Sequence, residues 1–174
     1  MVYLFLAEGF EEIEAFCPLD LMRRAGLEVA TVGVGGEYIT GAHAITVRAD
    51  MTDAEFSAVS NREADMIFLP GGMPGTLNLG ASETVRDAIR SAAEDKKYIA
   101  AICAAPSILG DMGLLLGKEA ICYPGFEKQL VGATISEKRV VLDGNILTAA
   151  GMGVAMEFGL ALVALLQGKE AAER

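Results

Sequence analysis

The chain has 174 residues, over half of them apolar and 22% charged, and carries a formal net charge of −10. That length suits one domain, residues 1–174, with a proper core, and that composition excludes a disordered chain. The acidic balance excludes an electrostatic footprint for nucleic acid, and three irregularly spaced cysteines make neither a disulfide framework nor a zinc set.

In chain order, residues 2–7 form a continuous apolar run that predicts a strand buried on both faces. This run lacks a basic leader and soon meets four glutamates, so it is not expected to be a signal peptide. Residues 10–25 predict a helix stopped by Gly26, and residues 27–34 a second buried strand. Short extended pieces are expected at 38–40 and 44–49, and a third buried strand at 65–69, ending in Pro70-Gly71-Gly72. Ser82 is expected to cap a helix running to Glu94. A fourth buried strand, 98–102, runs straight into Cys103, with a helix from 104 to about 112 behind it. Residues 120–123, 140–142 and 146–149 are further strands, the last two joined by an Asp143-Gly144-Asn145 hairpin. A helix over 154–167 closes the chain. The apolar run 152–166 carries Glu157 and is shorter than the ~20 residues of a membrane span. No membrane partner and a cytoplasmic, reducing location are therefore expected, where a cysteine serves as a free thiol. Buried strands alternating with helices predict an α/β fold, a mostly parallel sheet with helices on both faces. Ligands sit at the carboxyl ends of such strands, which singles out the loops at 8–14, 70–74 and 103–106.

Cys103 is the strongest candidate for chemistry. It ends a buried strand among small residues, Ala101, Ala104 and Ala105, as a nucleophile on a sharp strand-to-helix turn must. A helix start beside the sulfur favours the thiolate. The plainer alternative is a small buried hydrophobe. Glu14 lies with Phe10, Cys17 and Leu21 on a helical stripe that is mostly apolar. There, burial would keep its carboxyl protonated and able to donate to a thiolate. The alternative is an exposed first-turn glutamate serving the helix dipole, the role expected of Glu11 and Glu12. Gly71 and Gly72 let backbone approach an anionic oxygen, and the amides of Gly72 and Ala104 would form an oxyanion site; the alternative is a simple glycine turn. The glycines fit no phosphate or dinucleotide fingerprint, so no nucleotide cofactor is expected. Cys17 is either a resolving thiol for Cys103 or core packing. Cys122 is expected to be structural. His43, the sole histidine, is expected at a surface or an interface.

The stretches Ala7-Glu8-Gly9-Phe10-Glu11-Glu12-Ile13-Glu14, Leu69-Pro70-Gly71-Gly72, Ala100-Ala101-Ile102-Cys103-Ala104-Ala105-Pro106 and Asp143-Gly144-Asn145-Ile146-Leu147-Thr148 resemble the ThiJ/PfpI superfamily, in its parkinsonism-associated deglycase branch. They occur in family order along nearly the whole chain. The resemblance implies a flavodoxin-like three-layer sandwich, a homodimer, and neither cofactor nor metal. It implies Cys103 as an oxidation-sensitive nucleophile, Glu14 as its protonated partner, and Gly72 and Ala104 as oxyanion donors. Asp20 and Arg24 match positions that support the first helix. The implied activity is of glyoxalase or deglycase type on reactive dicarbonyls or early glycation adducts; the alternative is an oxidation-sensing, chaperone-like protein. Tyr123 stands where members often carry a histidine, which speaks against a protease-type triad. His43 stands where an arginine is common, and is expected at a dimer interface near the partner's Glu11.

Overall fold

The computed structural model describes residues 1–58 and 64–174. Among the described residues, seven strands pair in one sheet, with β1 (Val2–Leu6) in its interior. On one side β1 pairs in parallel with β2 (Val29–Gly33), which pairs with the short β5 (Met51–Thr52). On the other, β1 pairs in parallel with β6 (Met66–Leu69), β6 with β7 (Tyr98–Ile102), and β7 with β11 (Ile146–Ala149). The edge strand β10 (Val140–Asp143) is antiparallel to β11. The predicted hairpin of residues 38–49 forms a separate ribbon, β3 (Tyr38–Thr40) with β4 (Thr46–Arg48). A second ribbon pairs β8 (Glu119–Ala120) with β9 (Thr134–Ile135).

The apolar runs divide between two cores by the two-residue period of a strand. Val2, Leu4 and Leu6 face one layer, with α1 (Glu12–Arg24) and α6 (Ala155–Gln167). Tyr3 and Phe5 face the other, with α2 (Asp53–Ala58), α4 (Glu83–Glu94) and α5 (Pro106–Asp111). Helices thus cover both faces, the flavodoxin-like sandwich expected. In α4 the buried residues Val85, Ala88, Ile89 and Ala92 follow the helical period, and Ser82 caps the helix by accepting from the Val85 N–H.

Several bounds differ from the sequence expectation. The first helix begins at Glu12, because the Phe10 carbonyl is taken by the Ala42 N–H and Glu11 is extended. It runs through Pro18, whose missing N–H removes the donor for the Glu14 carbonyl. The helix behind Cys103 starts only at Pro106. The strand at 120–123 shrinks to β8, since beyond Ala120 the backbone turns to meet Thr148 and Cys103 instead of a strand. The helices α2, α3 (Gly75–Ala81) and α7 (Lys169–Glu173) were not foreseen.

The chain leaves β1 for β2 on one side and returns to β6 on the other. The crevice at this change of direction lies between β1 and β6, and the loops after β1, β6 and β7 meet at its rim.

Candidate active site

The loops after β1 and β6 lock together through backbone. The Glu11 N–H donates to the Gly71 carbonyl at 2.9 Å, and the Gly75 N–H to the Gly9 carbonyl at 3.2 Å. Gly72 holds φ at +94°, and a Cβ there would stand 2.4 Å from the Glu11 nitrogen. Only glycine meets both conditions.

Cys103 follows β7 directly and holds φ at +65°, a left-handed conformation costing a non-glycine residue roughly 1–3 kcal/mol. Its N–H donates to the Ala149 carbonyl at 2.9 Å, and its carbonyl accepts from the Tyr123 N–H at 2.8 Å. This is the strained elbow that the small neighbours predicted. Ala104 and Ala105 behind it are buried.

Glu14 projects from the first turn of α1 into this elbow and is 1% exposed. The Glu11 carboxylate caps the helix by accepting from the Glu14 N–H at 2.7 Å. The Glu14 carboxyl accepts from the Gly71 N–H at 3.0 Å and from the Met152 N–H, and it is hydrogen-bonded to the Cys103 thiol. The sulfur in turn receives the N–H groups of Ala104 and Gly72. Gly71 packs against both side chains: a Cβ on it would stand 2.6 Å from Glu14 Oε2 and 2.7 Å from Cys103 Cβ.

Burial pushes the Glu14 carboxyl up to about 7, with the neighbouring Glu11 charge adding to it. Burial, then the charge and hydrogen bond of Glu14, push the Cys103 thiol up to about 12, against the pull of the Ala104 and Gly72 amides. A standing thiolate was expected from sequence. The electrostatics give instead a coupled acid pair, in which an ionised Glu14 keeps the proton on sulfur and is itself placed to receive it.

The whole chain can be set against known proteins. Residues 1–165 match the model of the DJ-1/PfpI family. The chain belongs to the DJ-1/PfpI family. It is 38% identical over 170 residues to protein dj-1beta of Drosophila melanogaster, covering 96% of this chain and 89% of that one. A protein of Pyrococcus horikoshii named a deglycase is 34% identical over 149 residues, 83% of this chain and 87% of its own. The solved structure of oxidized Toxoplasma gondii DJ-1 superposes with a TM-score of 0.92 at 37% identity, covering 99% of this chain and 93% of that one.

Of the residues singled out in the sequence, Cys103, Glu14, Gly71, Gly72 and Ala104 come together. Tyr123 joins them at the rim, half exposed. Asp20 and Arg24 do not: they form an exposed ion pair of 2.7 Å further along α1, where Arg24 lines a groove of about 470 Å3 against α6 and α7. His43 is exposed, but its carboxylates lie within its own chain: Nδ1 is 2.8 Å from Glu12 Oε2 and 3.9 Å from Glu11 Oε1. No second subunit is needed to supply them. Glu11 and Glu12 are not the solvated glutamates expected, since Glu11 is the helix cap and Glu12 is buried, accepting from both the His43 N–H and its ring. These are the described side chains whose ligand atoms, within 4.8 Å of one another, could share a cation. The existing hydrogen bonds already engage them. Burial and Asp20 push the Cys17 thiol up, which suits packing better than attack. Cys122 is buried, as expected of a structural cysteine, and its thiol is pushed up to about 11, chiefly by burial.

Sequence reasoning missed Met152. The pairing brings it in: β11 is parallel to β7, so the loop after it, Gly151-Met152-Gly153, emerges at the same edge of the sheet.

Proposed function

We propose that the chain is a cofactor-independent enzyme acting on reactive dicarbonyls or early glycation adducts, with Cys103 as nucleophile and Glu14 as general acid and base. The observation that carries this reading is the hydrogen-bonded pair itself, a thiol on a strained backbone beside a carboxyl raised to about 7. A carboxyl near 7 exchanges protons in both directions at neutral pH.

With methylglyoxal, the Cys103 sulfur attacks the aldehyde carbon as Glu14 takes the thiol proton, forming a hemithioacetal. The amides of Gly72 and Ala104 stabilise the oxyanion as it forms, until it is protonated. Glu14 returns its proton to that oxyanion, then moves the proton from the former aldehyde carbon to the neighbouring carbonyl carbon while the hydroxyl proton passes from the first oxygen to the second, leaving a thioester of lactate. Water cleaves the carbon–sulfur bond, releasing lactate and restoring the thiol. The aldehyde carbon is oxidised and the ketone carbon reduced within one molecule, so no external oxidant or cofactor enters. Tyr123 supplies no base of histidine type, and none is required.

The deglycase name of the Pyrococcus horikoshii relative supports the substrate class. A homodimer and a cytoplasmic setting belong to the same reading. Exposed Ile13 on α1 and Met156 and Leu160 on α6 offer the apolar surface for the first, and three free cysteines suit the second. The test is conversion of methylglyoxal to lactate, measured as lactate and not as loss of aldehyde. The expected result is turnover by the wild type and at least a hundredfold loss in Cys103→Ser. Equal rates for the two would refute the reading.

A second reading is that Cys103 reports oxidation without turnover. The capture of the Toxoplasma gondii relative in an oxidized state favours it. The same Gly72 and Ala104 amides would hold sulfinate oxygens. Mild peroxide followed by mass spectrometry should then oxidise Cys103 ahead of Cys17 and Cys122.

A further inference from the structure

A depression of about 290 Å3 adjoins the Glu14–Cys103 pair, lined by Tyr123, Pro124, Arg139 and residues 150–154. Its lining residues Gly151 and Met152 pack directly against Glu14, which lies buried behind them. A Cβ on Gly151 would stand 3.0 Å from the Tyr123 ring and 3.9 Å from Glu14 Oε1, and the Met152 N–H is bonded to the Glu14 carboxyl. Its far side is held by Arg139, whose Nη2 donates to the Gly153 carbonyl at 3.1 Å. Gly151 and Gly153 are two residues apart, which spans at most roughly 7 Å of chain. The guanidinium is thus fixed one short molecule away from the acid pair.

Arg139 is the one cation lining this depression, in a chain of net charge −10. Among the described residues no carboxylate lies within ion-pair distance of it, and its side chain makes a single hydrogen bond. An arginine presents five donors in a planar fork that matches a carboxylate. Here most of that fork is unspent, across the depression from the reacting groups.

We infer that Arg139 determines specificity, anchoring the carboxylate of a 2-oxoaldehyde whose aldehyde end reaches Cys103. The inference rests on the glyoxalase reading above and narrows its substrates to anionic ones. 4,5-Dioxopentanoate has the required form, an aldehyde and adjacent ketone at one end and a carboxylate at the other. Sγ adds to its aldehyde carbon, Glu14 carries the proton to the ketone carbon, and water releases 2-hydroxyglutarate with the thiol restored. Atoms balance as aldehyde plus water to hydroxy acid.

The test compares kcat/KM for 4,5-dioxopentanoate and methylglyoxal in wild type, Arg139→Ala and Arg139→Lys. The expected result is a preference for the anionic substrate that falls about tenfold in Arg139→Ala, through KM, and is partly restored in Arg139→Lys. An unchanged ratio in Arg139→Ala would overturn the inference. A binding arm separates it from the reaction itself. 4-Oxopentanoate, which lacks the aldehyde, should bind the wild type about tenfold more tightly than Arg139→Ala by calorimetry. Arg139-dependent binding without turnover of either aldehyde would sink the enzymatic reading and keep the anion site; equal binding by both proteins would remove the anion site.

Discussion

Glu14 is a carboxyl that folding keeps from ionising. Its ordinary value is 4.5 and the folded value about 7, so the native state binds the proton more tightly than the unfolded chain. Between those values stability therefore falls as pH rises. Glu14→Gln removes the titration. The stability gained by this variant over wild type should grow by roughly 2–3 kcal/mol between pH 5 and pH 8, read from urea unfolding at each pH. A gap independent of pH would mean that Glu14 ionises freely. At this scale the sequence was informative where a residue type conflicted with its surroundings. A glutamate on an apolar stripe and a cysteine closing a buried strand are both such conflicts. Glu12 carried no such conflict, because a glutamate in a first helical turn is ordinary at the surface. Its burial depends on His43, brought over it by the hairpin of β3 and β4, a contact across 31 residues that periodicity does not encode.

The elements owe their positions to burial more than to propensity. Phe158 of α6 is fully buried and meets Phe68 of β6 edge to face at 5.5 Å, tying the helix to the sheet. Phe158→Ala should cost roughly 3–5 kcal/mol in urea unfolding. A loss under about 1 kcal/mol would mean that the layer is loosely packed there. Strands β1, β6 and β7 were legible because parallel strands buried on both faces are continuous apolar runs. Helices α2, α3 and α7 were not, being too short for a periodic stripe to register. The start of α1 was misjudged at Phe10 because that residue is as apolar as the stripe it precedes. Its backbone, however, is bound to the hairpin at Ala42.

At the scale of the molecule, strand order assembles the site. The segments that follow β1, β6, β7 and β11 reach one edge of the sheet, and each supplies one part: Glu14 from the first turn of α1, the Gly71 and Gly72 amides, Cys103, and the Met152 amide with the Arg139 contact. Sequence spacing predicted three of these four loops, since the alternation of strands and helices fixed which ends face together. The fourth followed only once β11 was seen to pair in parallel with β7. None of the helices among the described residues is long and apolar enough to cross a membrane. The central claim is that Cys103 and Glu14 act as one unit, and a double-mutant cycle tests it most directly. Lactate formation from methylglyoxal is measured in wild type, Cys103→Ser, Glu14→Gln and the double variant. The account predicts that each single change removes nearly all turnover and that the double variant is no slower than either. Losses that add, or full activity in either single variant, would contradict it.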